Sequence, residues 1–89
     1  MRHKTVSSFW TYYECLSIDI RNLANKNFQL LKTNPFHPSL QFKKTGKVWS
    51  ARVGLHYRAV ATPVEGGFIW VWIGSHAEYD KLLASNQLA

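Results

Sequence analysis

The sequence predicts an α+β domain: two N-terminal helices packed on a small antiparallel sheet, with a helix at the C-terminal end. Three observations predict it. Apolar residues recur at helical spacing through the first third of the chain. Three strand-like runs follow, Val48–Val53, Tyr57–Thr62 and Phe68–Ile73, separated by turn residues. Ser75, with Glu78 three residues on, then has the spacing of a capping box, which opens a last helix.

Ser7 or Ser8 is placed to cap the first helix, and Phe9, Tyr12, Tyr13 and Leu16 fall on one stripe. Cys15 lies beside that stripe and reads as a small core residue. Ser17 is a second N-cap with Asp19 in the favourable first turn. The helix behind it lines up Ile20, Leu23, Ala24, Phe28 and Leu31 and ends at Asn34-Pro35, since a residue before proline avoids helical geometry. Leu40-Gln41-Phe42 alternates and is a candidate short extra strand, and Lys43-Lys44-Thr45-Gly46-Lys47 reads as a basic loop or edge.

In the meander, Gly54-Leu55-His56 joins the first two strands and Pro63-Val64-Glu65-Gly66-Gly67 the last two. Alternation sends Ser50 and Arg52 to one face and Trp49, Ala51 and Val53 to the other. The same rule around the turn places Arg52 and Arg58 on one face of neighbouring strands. Trp70 and Trp72 alternate with Ile69, Val71 and Ile73, so this strand is apolar on both faces and belongs in the middle of the sheet. The tryptophans then need a cover, from the C-terminal helix, a partner or stacked bases. Tyr79, Leu82 and Leu83 give the last helix a short apolar stripe, and the tail Ala84–Ala89 has few anchors and is expected to fray.

With 89 residues the chain is read as a single domain over positions 1–89. No apolar run reaches the roughly 20 residues that span a bilayer, so no membrane role is expected. The basic start lacks an apolar signal-peptide core, and one cysteine makes no internal disulfide, so a cytoplasmic location is expected. The net charge is +6, and no acid lies between Asp19 and Glu65 while eight lysines and arginines do. Such a field attracts polyanions: nucleic acid or an acidic protein segment. His3, His37, His56 and His76 do not pair at ligand spacing with one another or with Cys15, so neither a metal nor another cofactor is expected. Phosphate-loop, dinucleotide and nucleophile-elbow motifs are missing from the sequence. The remaining basic side chains, histidine and tyrosine suit one cofactor-free reaction: cleavage of an RNA strand by its own 2′-hydroxyl. That reaction needs a base, cations around the phosphorane and an acid for the leaving oxygen.

The succession of two helices and a meander with Val53-Gly54-x-x-Tyr57-Arg58, then Ile73-Gly74-Ser75-His76 and a tyrosine close behind, resembles the RelE/ParE toxin superfamily. The resemblance extends over nearly the whole chain and is most specific in Arg52-Val53-Gly54 and Tyr57-Arg58. It implies a small toxin of a toxin–antitoxin pair, with a cognate antitoxin as partner. The RelE-like branch acts on ribosome-bound mRNA as an endoribonuclease; the ParE-like branch inhibits DNA gyrase. A third possibility is a catalytically silent antitoxin-binding module of the same fold. By position, the resemblance makes Arg52 and Arg58 the phosphate-gripping residues, His76 the group acting on the leaving oxygen and Tyr79 the residue that stacks on or orients a base. Lys43, Lys44 and Lys47 fall where RNA-contacting lysines occur, and Trp70 and Trp72 are assigned to an antitoxin interface or the core. Three departures stand out: Ser50 occupies a position where many members have a basic residue, His76 replaces a commoner arginine, and the Gly54-Leu55-His56 turn is one residue longer than usual. Each residue also has a purely structural reading: Arg58 paired with Glu78 or Asp80, Arg52 solvated, His76 paired with Asp80, and Tyr79 in the core.

Overall fold

A computed structural model describes residues 1–85 of the chain. The elements run β1 (Arg2–Thr5), α1 (Ser7–Glu14), α2 (Ile18–Thr33), β2 (Lys43–Thr45), β3 (Val48–Val53), β4 (Tyr57–Val64), β5 (Gly67–Ser75) and α3 (His76–Ala84), with one 3₁₀ turn at Pro38–Leu40. The strands form one mixed sheet in the order β1-β5-β4-β3-β2. Helices α1 and α2 cover one face and α3 the other, so two cores flank the sheet. The larger contains Phe9, Leu31, Leu40, Phe42, Ala51, Val53, Trp70 and Ile73; the smaller contains Val48, Val60, Trp72 and Tyr79.

The α+β architecture and the central apolar strand agree with the sequence. Ser17 caps α2, accepting from the Ile20 N–H, and its burial stripe holds Leu31 with Ile20, Leu23 and Ala24 packed beside it. The Ser75–Glu78 capping box is present in full. Helix α1 differs from expectation: its N-cap is Val6, with no side-chain cap, and Cys15 is an exposed C-cap. Its backbone is fixed instead by β1, because the Val6 N–H donates to the Trp70 carbonyl at 3.1 Å.

Strand β1 pairs in parallel with β5, from Arg2↔Gly67 to Thr5↔Trp70, and turns the expected antiparallel meander into a mixed sheet. The pairing depends on Gly67. A Cβ there would overlap the backbone carbonyl of Arg2, so glycine is the residue that admits this strand. The short extra strand does exist, but at Lys43–Thr45 rather than at 40–42. The 3₁₀ turn draws Leu40 into the core, and the chain joins the sheet only after Phe42.

The tryptophans also need a correction. Strand β5 pairs Trp72 with Val60 and Trp70 with Ala61, leaving Val71 as the extra residue of a β-bulge. The bulge reverses the alternation, so Trp70 joins the core under α1 and α2 while Trp72 joins the core under α3. Both are only 4% exposed, so in the folded chain they support the sheet rather than present a surface. No described helix is long and apolar enough to cross a membrane. The fraying expected of the tail falls, for residues 86–89, outside the described residues.

Candidate functional site

The site is built on the sheet face that carries α3. Arg52 and Arg58 are direct cross-strand partners, and directly opposed residues of an antiparallel pair share a face. Gly74 is the partner of Arg58 on the other side, and the Trp72 ring folds over the space a side chain would take there. The row is therefore Arg52–Arg58–Gly74, with two cations on one side and a glycine covered by the Trp72 ring on the other. The neighbouring row on this face is Lys43–Ser50–Val60–Trp72.

Arg58 is 8% exposed, and two of its guanidinium nitrogens, Nε and Nη1, are buried with no hydrogen-bond partner among the described residues. The third, Nη2, donates to Gln41 Oε1 at a long 3.4 Å. The Tyr79 ring lies 5.4 Å from the guanidinium carbon, a cation–π contact. The ion pair with Glu78 or Asp80 does not form: Glu78 is used by the capping box, and Asp80 holds the His76 ring. A buried cation normally has a carboxylate against it, because an isolated charge away from water is expensive. Here a neutral amide and an aromatic face take that place. Ser50, fully buried on the same face, likewise has a hydroxyl without a partner.

Helix α3 brings the other two residues. His76 begins it, and its backbone N–H donates to the His56 carbonyl at 2.7 Å, which ties the helix start to the β3–β4 turn. The His76 ring is 47% exposed, sits 3.2 Å from Asp80 Oδ2 and meets the Tyr79 ring edge-on at 5.9 Å. Arg58, Tyr79 and His76 thus form a continuous series of contacts from the buried sheet to solvent. Arg52 is half-buried, and its Nε donates to the Gly54 carbonyl of its own turn at 3.0 Å. That bond, with the Asn27 side chain donating to the Arg52 carbonyl at 3.2 Å, fixes the turn against α2.

The lysines separate. Lys43, opposite Ser50, lies on the site face; Lys44, opposite Trp49, lies on the other, and Lys47 sits in the hairpin turn. All three are exposed. On the opposite face a concavity of about 280 Å³ opens between α1, α2 and the sheet. Phe9, Trp10, Phe28, Leu31 and Trp70 line it, with Lys4 and Arg52 also on its wall, so its lining is mainly aromatic and aliphatic. His3 borders this cleft. Its Nδ1 accepts from the Trp70 indole N–H at 3.0 Å, and burial, then the nearby chain terminus and Lys32, push its pKa below the ordinary 6.5. Among the described residues no group of three histidine, cysteine or acidic side chains comes together to hold a metal ion.

Gln41 is the site residue that the sequence reading missed. It was legible only as the polar member of an alternating Leu-Gln-Phe triplet, and nothing local ties it to a strand seventeen residues on.

No family model matches the chain, and no curated protein sequence matches it. Solved structures do. The chain superposes on RelE of the RelB–RelE antitoxin–toxin complex from Methanococcus jannaschii with a TM-score of 0.70, covering 88% of this chain and 96% of the other at 17% identity. The chain has the RelE-like toxin fold. The YoeB/ParE toxin from Agrobacterium tumefaciens aligns at a TM-score of 0.65 and 19% identity, over 85% of this chain and 99% of that one. The isolated Escherichia coli RelE toxin aligns over 98% of this chain and 97% of its own length, at a TM-score of 0.60 and 11% identity. The RelE/ParE resemblance therefore holds at the level of the fold, at identities where the fold is what is shared.

Proposed function

We propose that this chain is the toxin of a toxin–antitoxin pair and that it cleaves ribosome-bound mRNA without a metal or other cofactor. The observation that carries this reading is Arg58: a buried guanidinium with two unpaired nitrogens, set beside Arg52 and reached through Tyr79 from His76. A cation kept without a counter-ion is poised for an anion, and the phosphorane of RNA cleavage is a crowded dianion.

In the reaction the 2′-oxygen attacks phosphorus, the bond to the 5′-oxygen breaks, and a cyclic phosphate and a 5′-hydroxyl result. One proton leaves the 2′-hydroxyl for solvent water, and one reaches the departing 5′-oxygen. Arg58, turned out of its resting place, and Arg52 donate to the non-bridging oxygens. His76 exchanges the proton at the leaving group, with Asp80 orienting its ring. Tyr79 supplies a ring for a base once the guanidinium has moved. Exposed Lys43, Lys44 and Lys47 add sequence-independent attraction to ribosomal and messenger phosphates. The antitoxin is the partner that restrains this activity, consistent with the RelB–RelE assemblies among the structural neighbours.

The test is inducible expression in translating cells with mapping of mRNA ends. Cuts phased with codons, lost in an Arg58→Ala variant, support the nuclease. Intact mRNA with DNA damage would assign the chain to gyrase inhibition, and intact mRNA with normal growth would leave an antitoxin-binding module.

A further inference from the structure

Arg58 raises a question that the nuclease reading alone does not answer: what keeps an unneutralised cation inside the fold when no substrate is present? The nearest polar group is Gln41. Its backbone sits at φ 42° and ψ 43°, in the left-handed region, the single non-glycine residue with positive φ among the described residues. That region is disfavoured for a side chain with a Cβ, and glycine would occupy it more readily. The conformation is imposed from both sides. Leu40 before it and Phe42 after it are buried in the core, and the preceding 3₁₀ turn is closed by His37 Nδ1, which accepts from the Ser39 N–H. Gln41, itself exposed, is left pointing at Arg58, with its amide oxygen as the acceptor because the guanidinium offers only donors.

We propose that Gln41 is a positioning residue for the phosphate site, a neutral latch that holds the Arg58 guanidinium ready without cancelling its charge. This rests on the reading of the α3 face as an RNA-phosphate site. The latch is weak by construction: one bond of 3.4 Å to a neutral oxygen. An arriving phosphate offers charged, bidentate acceptance and wins the guanidinium from the amide. The amide nitrogen of Gln41, which has two N–H donors, then faces the same anion. A carboxylate at this position would reverse the outcome. It would bind the guanidinium as an ion pair, satisfy it, and leave no net cation to recruit phosphate. Both carboxylates of α3 that lie near enough in sequence to do this are committed elsewhere, Glu78 to the helix cap and Asp80 to His76.

The test compares Gln41→Glu with the wild-type chain and with Gln29→Glu, which places the same charge on the exposed outer side of α2. Two readouts are used: the shift of the thermal midpoint by inorganic phosphate at matched ionic strength, and cleavage of mRNA on programmed ribosomes. Gln41→Glu is expected to melt no lower than wild type, to lose the phosphate-induced shift, and to cleave roughly 10²-fold more slowly, the size of a lost electrostatic group. Gln29→Glu should keep both. Gln41→Gly, which relieves the backbone and removes the amide, should retain the phosphate shift in part. If Gln41→Glu binds phosphate and cleaves like wild type, the latch is wrong and the nuclease reading stands. If Gln41→Glu abolishes the phosphate shift while wild type cleaves no mRNA, the latch stands and the nuclease reading fails. A wild-type chain that shows no phosphate shift overturns the latch, whereas the nuclease reading falls only if that chain also fails to cleave mRNA.

Discussion

Replacing Arg58 by methionine should make the protein more stable and inactive at once. The guanidinium is buried, and its Nε and Nη1 have no partner, so it carries an uncompensated desolvation cost. Leaving a buried polar group unsatisfied costs about 1–3 kcal/mol, more for a charged one. Against this stand the long bond to Gln41 and the face of Tyr79 at 5.4 Å, together worth about 1–2 kcal/mol. Methionine keeps the length and flexibility of the stem and packs on Tyr79 through its sulfur. The balance favours methionine by about 1 kcal/mol, in line with buried ionic groups that are replaced by apolar ones. For a domain of this size that is a rise in Tm of roughly 4–8 °C. Cleavage on programmed ribosomes should fall by about 10²–10³-fold, the usual loss for a group that stabilises transition-state charge. Calorimetry and single-turnover cleavage on the same preparation check the two halves. A marked fall in Tm would show that Arg58 holds the fold together and that its unpaired nitrogens carry no net cost.

Three other outcomes follow from single contacts. Stability should depend on pH through His3: because folding lowers its pKa, the unfolded chain binds the extra proton, so this contribution is full above about 6.5 and is lost as pH falls through the lowered folded value. Protonation also places a hydrogen on the nitrogen that accepts from Trp70; urea melts between pH 5 and pH 8 should show the loss, and His3→Phe should flatten it. Gly67→Ala should detach β1, since the new methyl group overlaps the Arg2 backbone, with a cost of about 1–3 kcal/mol as in overpacked cores and faster amide exchange at Arg2–Thr5. Ser50→Ala should be neutral or stabilising by about 1 kcal/mol in denaturant unfolding, because its buried hydroxyl has no partner to lose; a large destabilisation would mean that the hydroxyl bonds to a group, such as an ordered water, that supports the fold.

What the sequence determined by itself is what short-range physics decides. Alternation through Val48–Val53 and Tyr57–Thr62, closed by a tight turn, put Arg52 and Arg58 on one face of neighbouring strands, where they are direct cross-strand partners. Ser75 and Glu78, three residues apart, determined where α3 begins, and Ser17 did the same for α2. His76 and Asp80, one helical turn apart, could meet with no help from the rest of the chain. Tertiary structure decided the features whose partners are distant. Arg2–Thr5 has no apolar alternation to mark it as a strand; it becomes one because Gly67 lets a backbone approach β5. The extra residue at Val71 leaves no local mark in a run that is apolar throughout, yet it sends Trp70 and Trp72 to opposite faces. The hydrogen-bond partner of Arg58 was illegible for the same reason. Gln41 reaches it because a buried leucine and a buried phenylalanine force the backbone between them into a left-handed turn, and burial is a property of the assembled core rather than of any short segment.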